Sequence, residues 1–151
     1  MQVIKFGKNN QGQALLEAIV AFGVVALVLV ALISAITVSL ANAQYARNKA
    51  QATKYAQEAI EWLHQQRDTQ TTGWSGFYTK AGATYCVNNL SNYSSMTASS
   101  CSTNMTGTIF EREMTLTGNV ASDKVTALIN VTWTQGARTA KVDLETVLTK
   151  W

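Results

Sequence analysis

The stretch NNQGQALLEAIVAFGVVALVLVALISAITVSLAN, residues Asn9 to Asn42, decides the architecture of this chain, because it is a long apolar run with a single charge, Glu17, near its start. From Ala18 to Ala41 it holds 24 residues with no charge and only Ser34, Thr37 and Ser39 as hydroxyls. About 20 apolar residues cross a bilayer core as a helix, so this run is long enough to span. A secretory signal peptide fits less well than an uncleaved anchor, since its apolar region is usually only about 7–15 residues long. Lys5 and Lys8 precede the run and Arg47, Lys49 and Lys54 follow it, so the distribution of basic residues does not orient the span. Glu17 is the anomaly: a charge held in hydrocarbon costs about 2.5–3.5 kcal/mol and persists only where it is paired, shallow or useful.

Working outward, QYARNKAQATKYAQEAIEWLHQQRD (Gln44 to Asp68) continues the helical pattern without a break. Tyr45, Ala52, Ala56, Ala59 and Leu63 recur at helical spacings, with Ile60 and Trp62 widening the stripe, which predicts an amphipathic second half. Lys54 and Glu58 form an i,i+4 pair expected on the solvated side. The chain contains no proline, so the commonest helix breaker is missing throughout. A continuous helix from Ala14 to Arg67 would be roughly 80 Å long at 1.5 Å per residue, and half of it must lie in lipid or against other subunits. A loop is expected after it, around DTQTTGWSG, where Gly73 and Gly76 stand among Thr and Ser.

The period then changes. KVTALINVTW places Val125, Ala127, Ile129, Val131 and Trp133 on one strand face, and TAKVDLETVL does the same for Ala140, Val142, Leu144 and Leu148. TQGAR, with Gly136, is short enough for a hairpin, and IFEREMTL, with Phe110, Met114 and Leu116 on one side, reads as a preceding strand. Three consecutive strands make an antiparallel meander over residues 108–150, whose apolar face needs the stripe of helix 43–68 as its cover. The expected fold is therefore α+β: a long N-terminal helix, half membrane-spanning and half amphipathic, packed on a small antiparallel β-sheet. With 151 residues and the first 42 or so committed to tail and span, about 110 remain, enough for one small exported domain (43–151).

Between helix and sheet, TYCVNNLSNYSSMTASSCSTNMTG is polar and holds both cysteines, Cys86 and Cys101. A disulfide closing this 86–101 loop would contribute about 3 kcal/mol in the chain-entropy model and would put everything after the span on an oxidising side. Two free thiols, or half a metal site, are the alternatives; against the latter stand the single histidine, His64, and the lack of any CxxC. Asn89, Asn92, Asn104 and Asn130 each open an N-x-[ST] sequon, a weak signal in a chain rich in Asn, Ser and Thr.

Little in the chain suggests catalysis. His64 has no local nucleophilic arrangement around it, and Glu111 and Glu113 read as an ordinary pair on a solvated strand face. Trp62, Trp74, Phe77 and Tyr78 are expected to pack the corner where the helix meets the loop. The reading is thus of a protein that is not an enzyme and uses no cofactor and no metal. Twelve basic against nine acidic residues, scattered along the chain, give +3 and no nucleic-acid footprint, so DNA has no support as a partner.

The residues around Glu17 carry a sharper signal. A short basic tail ending in Gly12, followed by QALLEAIVAFGV with Glu17 as the fifth residue after that glycine, resembles the class III signal of type IV prepilins and pseudopilins. The ending VTALINVTWTQGARTAKVDLETVLTKW looks like that of minor pilins and pseudopilins. The resemblance implies the pilin fold, a leader peptide over residues 1–12, cleavage by prepilin peptidase between Gly12 and Gln13 and N-methylation of Gln13. It also implies a filament-core role for helix residues 13–42, with membrane lipid as their first surroundings and other pilin subunits and the pilus assembly machinery as later partners. Glu17 would pair with the new amino terminus of Gln13. Two positions depart from the family pattern: Gln13 stands where phenylalanine or methionine is common, and Ser34 stands where many members carry a kinking proline, which implies a straighter helix. The runner-up is an uncleaved, single-pass, membrane-anchored extracellular binding domain, which would require Gly12 to stay intact.

Overall fold

The computed structural model describes the chain except for residues 1–10, 70–72, 120–122 and 151. The leader expected over residues 1–12, including Lys5 and Lys8, therefore lies almost wholly outside the described residues. One helix, α1 (Gln11–Thr69, 59 residues), runs from the apolar stretch into the amphipathic one. The chain divides into two compact units, with the boundary in sequence between Gln44 and Tyr45.

The first unit is the N-terminal part of α1 alone. Each described side chain from Gly12 to Gln44 is exposed, and the large ones are extensively so, with Phe22 76% and Leu27 73% accessible. Apolar residues on every side of a helix have no polar face to give to water. The sequence here favours helix because it is rich in Ala and Leu, and the scattered β-branched residues cost only tenths of a kcal/mol each.

In the second unit the rest of α1 is joined by α2 (Gly73–Tyr78), β1 (Ala83–Cys86), a 3-10 turn (Tyr93–Ser95), β2 (Phe110–Asn119), β3 (Lys124–Gln135) and β4 (Arg138–Thr149). The strands form one antiparallel sheet in the order β1-β2-β3-β4, with α1 packed on it, so the α+β architecture holds. Ala52, Ala56, Ala59 and Leu63 are fully buried, as their spacing predicts, whereas Tyr45 stays 44% exposed beside Trp133. Three alanines in the stripe let the helix backbone approach the sheet closely, and the larger side chains come from the other layer: Met114, Leu116, Ile129, Val131, Trp133 and Leu148. Each large aliphatic buried this way is worth about 1.5–3 kcal/mol, which holds the two layers together.

The expected strand faces are present. Val125, Ala127, Ile129, Val131 and Trp133 are all buried, and Ala140, Val142 and Leu144 are half-buried with Leu148 beneath the helix. Gln135 pairs with Arg138, leaving a two-residue turn in which Gly136 takes a φ of +61°, a region glycine enters without steric cost.

Three expectations need correction. The sheet has four strands, not three, because Ala83–Cys86 pairs with Glu113–Leu116 inside what reads as a polar loop. The segment around Gly73 and Gly76 is not plain loop but the short helix α2, held by the buried ring of Phe77 stacked 4.9 Å from Tyr93. Gly118 is what lets this connection lie against β2: a Cβ there would stand 2.5 Å from the Ala81 Cβ and 2.7 Å from the Tyr78 ring. The third concerns Glu58, whose carboxylate lies 3.2 Å from the Arg112 guanidinium, where the sequence suggests a surface partner in Lys54.

Candidate functional site

Three places in the chain concentrate chemistry, and the sequence singled out two of them. The first is the beginning of α1. Gly12, Gln13 and Glu17 lie in its first two turns, all exposed, and Glu17 has no ion-pair partner among the described residues. Downstream, two of the three hydroxyls of the apolar stretch are satisfied by the helix itself: Ser34 donates to the Val30 carbonyl (3.0 Å) and Thr37 to that of Ser34 (2.8 Å). Such back-bonding removes most of the penalty for taking a hydroxyl into an apolar medium, which leaves Glu17, the single charge of the run, as the group most costly to desolvate. The helix is long and apolar enough to cross a bilayer.

The second place is the bridged loop. Cys86 and Cys101 form a disulfide, as expected, and the loop folds back so that Ala98 bridges to Tyr85 across β1. Glu113 is more than a solvated strand residue, since its carboxylate accepts the Cys101 N–H at 2.8 Å. Glu111, two residues earlier, is half-buried. Trp62, Trp74, Phe77 and Tyr78 do gather at the corner: Trp74 stacks on Phe77 and Trp62 lies 6.2 Å from the Tyr93 ring. Of the sequons, Asn92 serves the fold, its side chain capping the 3-10 turn by accepting from the Ser94 N–H.

Arg112, under this loop, escaped the sequence reading. It occupies the core face of β2 between Phe110 and Met114 and is 3% exposed. Its Nε donates to the Val87 carbonyl (2.9 Å) and Nη1 to the Tyr55 carbonyl (2.9 Å) and to Glu58 (3.2 Å), while its backbone N–H is taken by Asn88. One side chain thus ties α1, β2 and the bridged loop together. Burial pulls its pKa below the ordinary guanidinium value, and Glu58 opposes that pull. The signal was available: an arginine in phase with three apolar residues on a strand is either misplaced or buried with partners. Tyr93 is a second missed core group, its hydroxyl donating to the Phe77 carbonyl at 2.8 Å. Burial, and to a smaller degree the neighbouring Tyr85, push the Tyr93 phenol far above its usual range.

The third place is a cleft of about 580 Å³ between the last turns of α1 and the 3-10 turn, with Trp62, Gln65, Gln66, Leu90 and Asn92 among its lining. Elsewhere the chemistry is sparse. His64 is half-buried with Nε2 3.5 Å from the Thr146 hydroxyl, and among the described residues no group of three or more His, Cys, Asp or Glu side chains is arranged to hold a metal.

No protein-family model matches the chain, and neither the curated proteins nor the solved structures compared with it give a match.

Proposed function

We propose that the chain is a structural filament subunit of the type IV pilin or pseudopilin kind, with an ending like that of minor pilins, and not an enzyme. In this reading prepilin peptidase removes residues 1–12 and Gln13 becomes the methylated amino terminus. The subunit waits in the cytoplasmic membrane with residues 45–151 on the oxidising side, and the assembly machinery then draws it into an extracellular pilus or a related secretion or competence filament. The observation that carries this is the exposed apolar part of α1 beginning with Gly12 and Glu17. Every large side chain from Leu15 to Leu40 is open, so the segment must be covered: by lipid first, and then by the same helices of neighbouring subunits. Ala18, Ala21, Gly23, Ala26, Ala31 and Ala35 provide the small residues that close helix packing favours.

Glu17 gains a role in the same reading. Cleavage creates an amine at Gln13, with an ordinary pKa near 8, beside an apolar helix. Amine and carboxylate are each costly alone in a medium of low dielectric and offset one another when paired, most usefully between adjacent subunits. Intact mass measurement on assembled filaments tests the cleavage: the chain should start at Gln13, with formal side-chain charge lowered from +3 to +1 by the loss of Lys5 and Lys8. A filament chain that starts at Met1 would remove the pilin reading. Glu17→Gln, which keeps the shape and deletes the charge, should be inserted and cut normally yet enter sheared filaments far less; normal incorporation refutes the pairing.

A further inference from the structure

The cleft at the end of α1 has walls from two separate segments of the chain. One wall is the helix, through Trp62, Gln65 and Gln66; the other is the turn carrying Leu90, Ser91 and Asn92. None of its lining residues is ionisable; of the charged residues beside them in sequence, Arg67 and Asp68 are paired with each other at 2.8 Å, and Glu61, next to Trp62, is exposed. Two of the amides are held in place. Gln66 Oε1 accepts the Tyr93 N–H at 3.4 Å and Asn92 Oδ1 accepts the Ser94 N–H at 3.0 Å, which fixes the side chains and leaves their NH2 groups as donors. Trp62 is half-buried against Tyr93, so its indole is anchored rather than free to swing.

We propose that this cleft binds a neutral saccharide. A sugar ring presents a face of C–H groups, which suits the electron-rich face of an indole, and a rim of hydroxyls that both donate and accept. Amide and hydroxyl side chains match that rim in both directions. An anionic or cationic ligand would find no opposite charge among these residues, and a wholly apolar one would strip water from the amides without replacing its hydrogen bonds. The volume of about 580 Å³ lies within the range of about 300–1,000 Å³ usual for small-ligand sites. Pre-set amides and an anchored ring lower the ordering cost of binding. The cleft lies wholly within residues 45–151, so its chemistry is independent of cleavage at Gly12.

The test uses the full chain in lipid nanodiscs, because sugar-based detergents would compete. An array of neutral hexose and N-acetylhexosamine oligosaccharides, with sialylated and sulfated ones beside them, is followed by calorimetric titration of whatever neutral glycan is retained. Trp62→Ala should weaken that binding at least tenfold and Gln65→Ala at least threefold, with Lys54→Ala unchanged. Gln65 is exposed, so if Trp62→Ala loses its circular dichroism signature the Gln65→Ala titration decides alone. Retention of no neutral glycan, retention of charged glycans only, or a neutral-glycan affinity untouched by Gln65→Ala each overturns the proposal.

Discussion

The two halves of α1 are one uninterrupted helix with opposite relations to their surroundings. Before Gln44 the large residues Leu, Val, Ile and Phe are all exposed; after Tyr45 the residues most deeply buried include three alanines, and a single leucine, Leu63, completes the stripe. Apolar content alone therefore does not mark a folded core. The first half is apolar all round and has no partner within the described residues, while the second is mostly polar with one narrow face that a sheet covers. A segment's hydrophobicity says that it will be covered; the width of its apolar face says whether its own chain can do the covering.

The contrast can be broken most severely at Arg112. Arg112→Ala takes the guanidinium bonds from the Val87 and Tyr55 carbonyls and removes the stem that fills the space between α1 and β2, so chemical denaturation should show a loss of about 4 kcal/mol in residues 45–151. Glu58→Gln is the matching control. Its carboxylate is 56% exposed, and the change should cost less than about 1 kcal/mol. Equal losses from the two substitutions would show that the ion pair, not the carbonyl bonds, does the holding.

Next in size is the disulfide. Replacing both Cys86 and Cys101 by Ser should cost about 3 kcal/mol and open the segment from Tyr85 to Ser102 to proteases, since β1 is only four residues long and is tied down by that bridge. Mass mapping of exported protein without reductant should find the two cysteines joined; two free thiols there would remove the support for placing this domain on an oxidising side.

The same substitution placed in each half of α1 sharpens the comparison further. Ala56→Leu forces three extra carbons into a fully closed contact and should destabilise the domain by about 1–3 kcal/mol. Ala31→Leu, in the exposed half, should leave the domain's unfolding midpoint unchanged. A similar shift from both would mean that the halves are energetically coupled.

The smallest effect is set by pH. Tyr93 and Tyr85 have pKa values raised by burial, so the folded state holds their protons more tightly than the unfolded state does. Their contribution is fully present below about pH 10, the ordinary tyrosine value, and is lost as pH rises above it. Denaturation midpoints measured through the alkaline range should fall beyond that point, and Tyr93→Phe should flatten the fall while losing the bond to the Phe77 carbonyl at every pH.

What the sequence determined by itself is what depends on near neighbours in the chain. The unbroken helix, its buried stripe at Ala52, Ala56, Ala59 and Leu63, and the alternating faces of β3 and β4 follow from repeats of about 3.6 and 2 residues, and those repeats are visible without any knowledge of what lies opposite. The tertiary structure alone decided the rest. β1 is too short to alternate recognisably and exists because the edge of β2 offers hydrogen bonds and the bridge at Cys86 holds it there. α2 forms despite two glycines because Phe77 has Tyr93 to stack on, a packing gain that outweighs the propensity cost. Arg112 fits a core position only because carbonyls from Tyr55 and Val87, 57 and 25 residues away, converge on it. The amide-lined cleft likewise brings Gln66 to within hydrogen-bonding reach of Tyr93, 27 residues on. Contacts between residues so far apart leave no local periodicity, because their energy depends on a partner that only the folded chain brings near.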